Sequence, residues 1–85
     1  MPYQVAFMPR ALRQLDALPR ETARRILSRL EALAINPRPP GVRMLQGDLS
    51  GYRLRVGDYR VLYIVDDSAR TVTIHVVGHR REVYR

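Results

Sequence analysis

The residues with the most chemical content are arginines. Arg53 and Arg55 alternate along the run Tyr52 to Val56, and Arg60 follows across the pair Gly57-Asp58. Two residues with glycine first, set between alternating runs, form the pattern of a type II′ hairpin turn. If Gly57-Asp58 is the loop, Val56 faces Tyr59, Arg55 faces Arg60 and Leu54 faces Val61. Side chains alternate across a strand. Leu54, Val56, Val61 and Tyr63 therefore share one face, the core side, and Arg53, Arg55 and Arg60 share the other. Like charges directly opposite each other destabilise a sheet. No acidic residue on these strands is placed to offset them, because Asp58 lies in the turn and Asp66 at the far end. An exposed sheet face would solvate three arginines, but direct opposition of two of them favours a site that an anion occupies. Guanidinium groups grip phosphate in bidentate fashion, so the anion expected is a phosphate.

A second group closes the chain: Gly78-His79-Arg80-Arg81-Glu82-Val83-Tyr84-Arg85. A tyrosine among arginines can stack on an unpaired base while the cations hold phosphates. Tyr84 could equally cap the core with its ring. His79, with an ordinary pKa near 6.5, suits a general acid or base, although a histidine beside a glycine is more often simply exposed. Glu82 is better placed to pair with Arg81 or Arg85 than to act as a base.

Composition narrows the chemistry further. All fifteen basic residues are arginine, against eight acidic residues, for a net charge of +7. A GC-rich genome favours arginine codons, whereas a polyanionic partner favours guanidinium groups themselves; a nucleic acid is the partner expected. There is no cysteine, which excludes disulfides, thiolate metal sites and cysteine nucleophiles. Two histidines, His75 and His79, make a protein-bound catalytic zinc improbable. No metal and no cofactor are expected. The N-terminal MPYQVAF alternates and lacks the apolar stretch of a signal peptide. The longest apolar run, Val61 to Val65, is far short of a membrane span. A cytoplasmic protein without a membrane partner is expected.

The 85 residues suffice for one domain, 1–85, and leave no room for a deep cofactor fold. Tyr3 to Phe7 alternates as a short strand. Pro9 suits the first turn of a helix, along which Leu12, Leu15 and Leu18 recur. A second helix is predicted from about Arg20 to Ala34. Its apolar residues Ala23, Ile26, Leu27, Leu30, Leu33 and Ala34 fall on one stripe, and Arg20, Arg24, Arg25 and Arg29 lie outside it as a solvated face. Asn36-Pro37 and Pro39-Pro40-Gly41 end it. From Tyr52 the period becomes two, predicting strands Tyr52–Val56, Tyr59–Asp66 and Arg70–Val77, the last turn being Asp67-Ser68-Ala69. The fold class is α+β. An N-terminal strand and a two-helix hairpin pack on one face of a small antiparallel sheet, and the other face is left open.

These residues resemble a known family. The run LQGDLSGYRLRVGDYRVLY, Leu45 to Tyr63, resembles the middle of toxins of the RelE/ParE superfamily, and VGHRREVY, Val77 to Tyr84, is similar to the RelE ending. The element order fits along the whole chain. The first motif is shared with gyrase-directed ParE toxins; the second leans toward the RNA-cleaving branch. The resemblance implies a toxin of a type II toxin–antitoxin system that cleaves mRNA in the ribosomal decoding site. In RelE toxins, basic residues on the sheet face and a C-terminal arginine and tyrosine carry activity. They map here to Arg53, Arg55, Arg60, Arg80 and Tyr84, with His79 and Arg81 as substrate-binding neighbours. The implied reaction is attack of a ribose 2′-hydroxyl on the adjacent phosphate, which needs no metal and leaves a 2′,3′-cyclic phosphate and a 5′-hydroxyl.

Some RelE toxins have lysines where this chain has Arg53 and Arg55. A buried lysine can lose its proton, and an arginine effectively cannot. The base is therefore Tyr84, with its phenol made more acidic by surrounding arginines, or His79, or none at all if the protein mainly positions RNA and supplies charge. Two rivals stand beside the endoribonuclease: a ParE-like inhibitor of DNA gyrase, and a nucleic-acid-binding module without chemistry. The implied partners are mRNA on the ribosome and a neutralising, DNA-binding, acidic antitoxin that offers an apolar-faced helix or strand to the open sheet.

Overall fold

The computed structural model describes residues 2–45 and 51–83. The elements in chain order are β1 (Gln4–Phe7), α1 (Pro9–Asp16), α2 (Arg20–Ala32), β2 (Arg43–Met44), β3 (Gly51–Val56), β4 (Tyr59–Asp66), β5 (Thr71–His79) and α3 (Arg80–Val83). They build the α+β fold predicted, with α1 packed over β5 and α2 against β3 on one face of the sheet. The strand order is β1-β5-β4-β3-β2. The sheet is mixed and not wholly antiparallel: β1 pairs in parallel with β5, Gln4 against Thr71 through Phe7 against Ile74. The chain runs through both helices before it enters the meander, so its first strand can return to the outer edge in that orientation. The two-residue β2, which sequence periodicity is too coarse to detect, adds the opposite edge, with Arg43 against Arg53 and Met44 against Tyr52.

The helices follow from their apolar spacing. Pro9 occupies the start of α1, where its missing N–H costs nothing. Ala11 and Leu15, one turn apart, are buried, while Leu12 remains 46% exposed. In α2, Ile26 and Leu30 are fully buried, as is Leu33 at the C-cap. Leu27, placed by the sequence on the buried stripe, is 40% exposed, because it lies on the helix flank beyond the sheet's cover. The helix stops at Ala32, short of the expected Ala34, as its last turn tightens: Leu33 N–H donates to Leu30 O and Ala34 N–H to Glu31 O. The sheet contributes Tyr52, Leu54, Val56, Val61, Tyr63, Val65, Val72, Ile74 and Val77 to the same core. None of the helices described is long and apolar enough to cross a membrane.

A polar clasp ties the far ends of the chain together. Arg38, just after the Asn36-Pro37 break, donates from Nε to the Tyr52 hydroxyl at 2.8 Å and pairs with Asp67 at 2.8 Å. The Tyr3 hydroxyl also donates to Asp67. Tyr63, stacked on Tyr52, donates to Pro37 O at 2.7 Å. Burial pushes the Tyr63 phenol up to about 12, so it remains a donor. The Arg38 guanidinium, with help from Tyr3, holds the Asp67 carboxyl below the usual carboxylate range. Beside it Asp66 shapes the β4–β5 turn, accepting from Ala69 N–H and the Ser68 hydroxyl.

Two predictions follow from this packing. Leu30→Ala removes a fully buried side chain beneath the sheet and should cost about 2–5 kcal/mol of unfolding free energy in urea titration. Asp67→Asn should lower Tm at pH 7. A depressed carboxyl stabilises the fold above its ordinary pKa of 3.8, and that contribution is lost as pH falls through the lower folded-state value. The Tm difference between wild type and Asp67→Asn should therefore close on acidification; a constant gap in melts from pH 7 to pH 3 would contradict the clasp.

Candidate nucleic-acid interface

The β3–β4 hairpin places the site. Gly57 has φ of +60°, while Asp58 is not among the residues with positive φ. A type I′ turn needs positive φ at both central residues, so the turn is of the II′ kind. The register is the one expected: Val56 against Tyr59, Arg55 against Arg60, Leu54 against Val61. Leu54, Val56, Val61 and Tyr63 face the core, all nearly or fully buried. Arg53, Arg55 and Arg60 lie on the opposite face.

That face holds a fourth arginine. Arg43 of β2 stands directly opposite Arg53, so the sheet carries two opposed arginine pairs, Arg43 with Arg53 and Arg55 with Arg60. Gly41, Arg43, Arg53 and Arg55 line a polar concavity of about 240 Å³. Sequence reasoning missed Arg43 because a two-residue strand after a Pro-Pro-Gly break has no periodicity to read. The cue was there: an arginine preceding a hairpin whose own arginines sit on one face.

The Arg55–Arg60 repulsion is eased by divergence. Arg55 is exposed, whereas Arg60 is only 6% exposed and lies back toward the turn. One Nη of Arg60 donates to Gly57 O at 3.3 Å and to Tyr59 O at 3.2 Å. Opposite Arg60 stands Gly78, which has no side chain to compete for the space. The guanidinium is thus held by neutral carbonyls and keeps its charge for an anion. Arg80 opens α3, and its backbone N–H donates to Asp58 O at 2.9 Å. This bond fixes the start of the arginine-rich tail beside the hairpin turn, next to Arg60. Arg80 and Arg81 are exposed. Tyr84 and Arg85 lie outside the described residues.

His79 is not on the arginine face. In β5 the pairing passes from Ile74 opposite Tyr63 to Val76 opposite Leu62, leaving His75 unpaired as a bulge. The bulge shifts the alternation by one, so Ile74 and Val77, three residues apart, both face the core. Gly78 then falls on the arginine side and His79 on the helix side. His79 meets Tyr59 edge-on, with ring centroids 5.6 Å apart, and borders a cavity with Gln14, Ala17 and Leu18 of the α1 end. Its Nδ1 accepts from Arg81 N–H at 3.3 Å. The structure therefore puts Arg53, Arg55 and Arg60 on one face of the sheet, begins the tail at Arg80 beside the turn end of that hairpin, and turns His79 to the other face. Among the described residues, no three His, Cys, Asp or Glu side chains are grouped as a metal site would need.

A cationic, preorganised face of this kind can bind phosphate and stabilise charge that builds on phosphoryl oxygens. The relatives of the chain are consistent in kind. Residues 5–84 match the family of ParE toxins of type II toxin–antitoxin systems, parDE. The toxin RelG of Mycobacterium tuberculosis is 39% identical, over 100% of this chain and 99% of its own length. The toxin–antitoxin complex RelBE2 of the same organism contains a chain that superposes with a TM-score of 0.81 at 33% identity, covering 94% of this chain and 100% of that one. A chain of the archaeal RelE–RelB complex from Pyrococcus horikoshii gives a TM-score of 0.81 at 31% identity, with 98% of this chain and 100% of that one covered. The chain thus belongs to the RelE/ParE superfamily of toxins of type II toxin–antitoxin systems.

Proposed function

We propose that this toxin is a ribosome-dependent endoribonuclease that cuts messenger RNA and so blocks translation. The observation that carries this reading is the direct opposition of arginines on the open sheet face, with Arg80 anchored at the same end. Arg53 and Arg55 hold the RNA backbone. Arg60 and Arg80 stabilise the phosphorane-like charge that develops as a ribose 2′-oxygen attacks the neighbouring phosphorus and the 5′-oxygen departs. Tyr84, which the family resemblance assigns to the site, is the proton acceptor or a stacking platform for a base. His79, on the helix side, is the weaker choice for the base, and its service to the substrate, like that of Arg81, is to shape the start of the tail. A cytoplasmic antitoxin partner of RelB type covers the arginine face and neutralises it with acidic side chains, consistent with the complexes in which related toxins occur.

The kinship with ParE toxins favours one second reading, inhibition of DNA gyrase without RNA cleavage. Expression of the chain alone distinguishes the two. The ribonuclease should arrest growth with cuts in translated messages, mapped by primer extension. Arrest with DNA breaks and intact messages would establish the gyrase reading.

Site variants separate chemistry from binding. Arg60→Ala and Arg80→Ala should each slow single-turnover cleavage on a programmed ribosome by about 100- to 1,000-fold, the usual loss for one charge-stabilising donor. Tyr84→Phe should slow cleavage and flatten the basic limb of the pH profile if the phenol takes the proton, and should be nearly silent if the ring only stacks. Full activity in the triple variant Arg60→Ala, Arg80→Ala, Tyr84→Ala would exclude this site.

A further inference from the structure

We propose that Arg43 completes a second phosphate site on the open face, one that holds a phosphate adjacent to the reacting one. This inference rests on the reading of that face as an RNA site. Arg43 and Arg53 oppose each other in the β2–β3 register, and Arg55 and Arg60 oppose each other in the β3–β4 register. Arg53 and Arg55 are two residues apart on one strand, so the two arginine pairs are separated by about 6.8 Å along β3. That is the scale on which successive phosphates recur along an extended single strand.

The two pairs differ in their surroundings. The Arg55–Arg60 pair lies at the turn end, where Arg80 is anchored through Asp58. The Arg43–Arg53 pair lies away from the tail and lines, with Gly41 and Arg55, the polar concavity of about 240 Å³. Among the described residues, Arg43 and Arg55 have no hydrogen-bonded or ionic partner, so their guanidinium groups are available to a ligand. A polyanion with regularly spaced charges can engage both arginine pairs at once, which a single phosphate or an isolated carboxylate cannot. Arg43 is accordingly a positioning residue: it fixes the register of the strand over Arg60 and Arg80 without touching the reacting phosphorus.

The test compares two uncleavable probes, a 2′-O-methyl dinucleotide with one internucleotide phosphate and the corresponding trinucleotide with two, each without terminal phosphates. The antitoxin-free chain should bind the trinucleotide about tenfold more tightly, as expected for one added charge-assisted contact. Its log-affinity against log-salt slope should be steeper by about 0.7, the increment for one further phosphate on a single strand. Arg43→Gln should erase both differences and leave dinucleotide binding unchanged, while Arg43→Lys, which keeps the charge, should retain the slope. On the programmed ribosome, Arg43→Gln should raise KM severalfold at nearly constant kcat. The proposal is overturned if wild type does not prefer the trinucleotide, if Arg43→Gln weakens both probes equally, or if it lowers kcat and leaves KM intact. If wild type shows the trinucleotide preference, dependent on Arg43, but cuts no RNA on the ribosome, the phosphate site stands and the endoribonuclease reading falls.

Discussion

The architecture of the site depends on one turn. Gly57 takes a backbone conformation that other residues reach at a cost, and Asp58 completes a two-residue reversal whose twist suits the strands it joins. Because side chains alternate strictly, this reversal settles at once which residues enter the core and which remain outside. A slip of one residue would bury arginines under the helices and expose Leu54, Val56, Val61 and Tyr63. The hydrophobic effect that holds these four residues in the core is therefore the same constraint that aligns the arginines. The core and the arginine face share a single register, and neither can be shifted without the other.

Much of this was legible in the sequence because it is local. The turn, the pairing of Arg55 with Arg60 and the two amphipathic helices are each specified by residues close together in the chain. What was not legible is non-local or irregular. The parallel docking of β1 on β5 joins Gln4 to Thr71, and no short-range pattern encodes it. The strand β2 is too short to carry a period. Arg43 therefore escaped notice, although its pairing with Arg53 doubles the charge at that edge.

The bulge at His75 is the most instructive departure. Unbroken alternation from Val72 and Ile74 would send His75, Val77 and His79 to the arginine face and Gly78 to the core. One unpaired residue reverses this for everything that follows. Val77 enters the core, and its N–H is taken by the Gln14 side chain of α1 at 2.8 Å. Gly78 comes to lie opposite Arg60, and His79 crosses to the helix side. The imidazole that reads in sequence as part of an arginine-rich active tail is, in the fold, a neighbour of Tyr59.

The strand order also imposes a schedule on biosynthesis. Among the described residues, the first strand in chain order, β1, pairs in the sheet only with the last, β5, and β5 leads directly into the arginine-rich tail. While the chain is being translated, β1 must wait for its partner until β5 has emerged. Closing so long a loop is also a slow step in folding. The complete sheet therefore comes into existence only after β5 has been made.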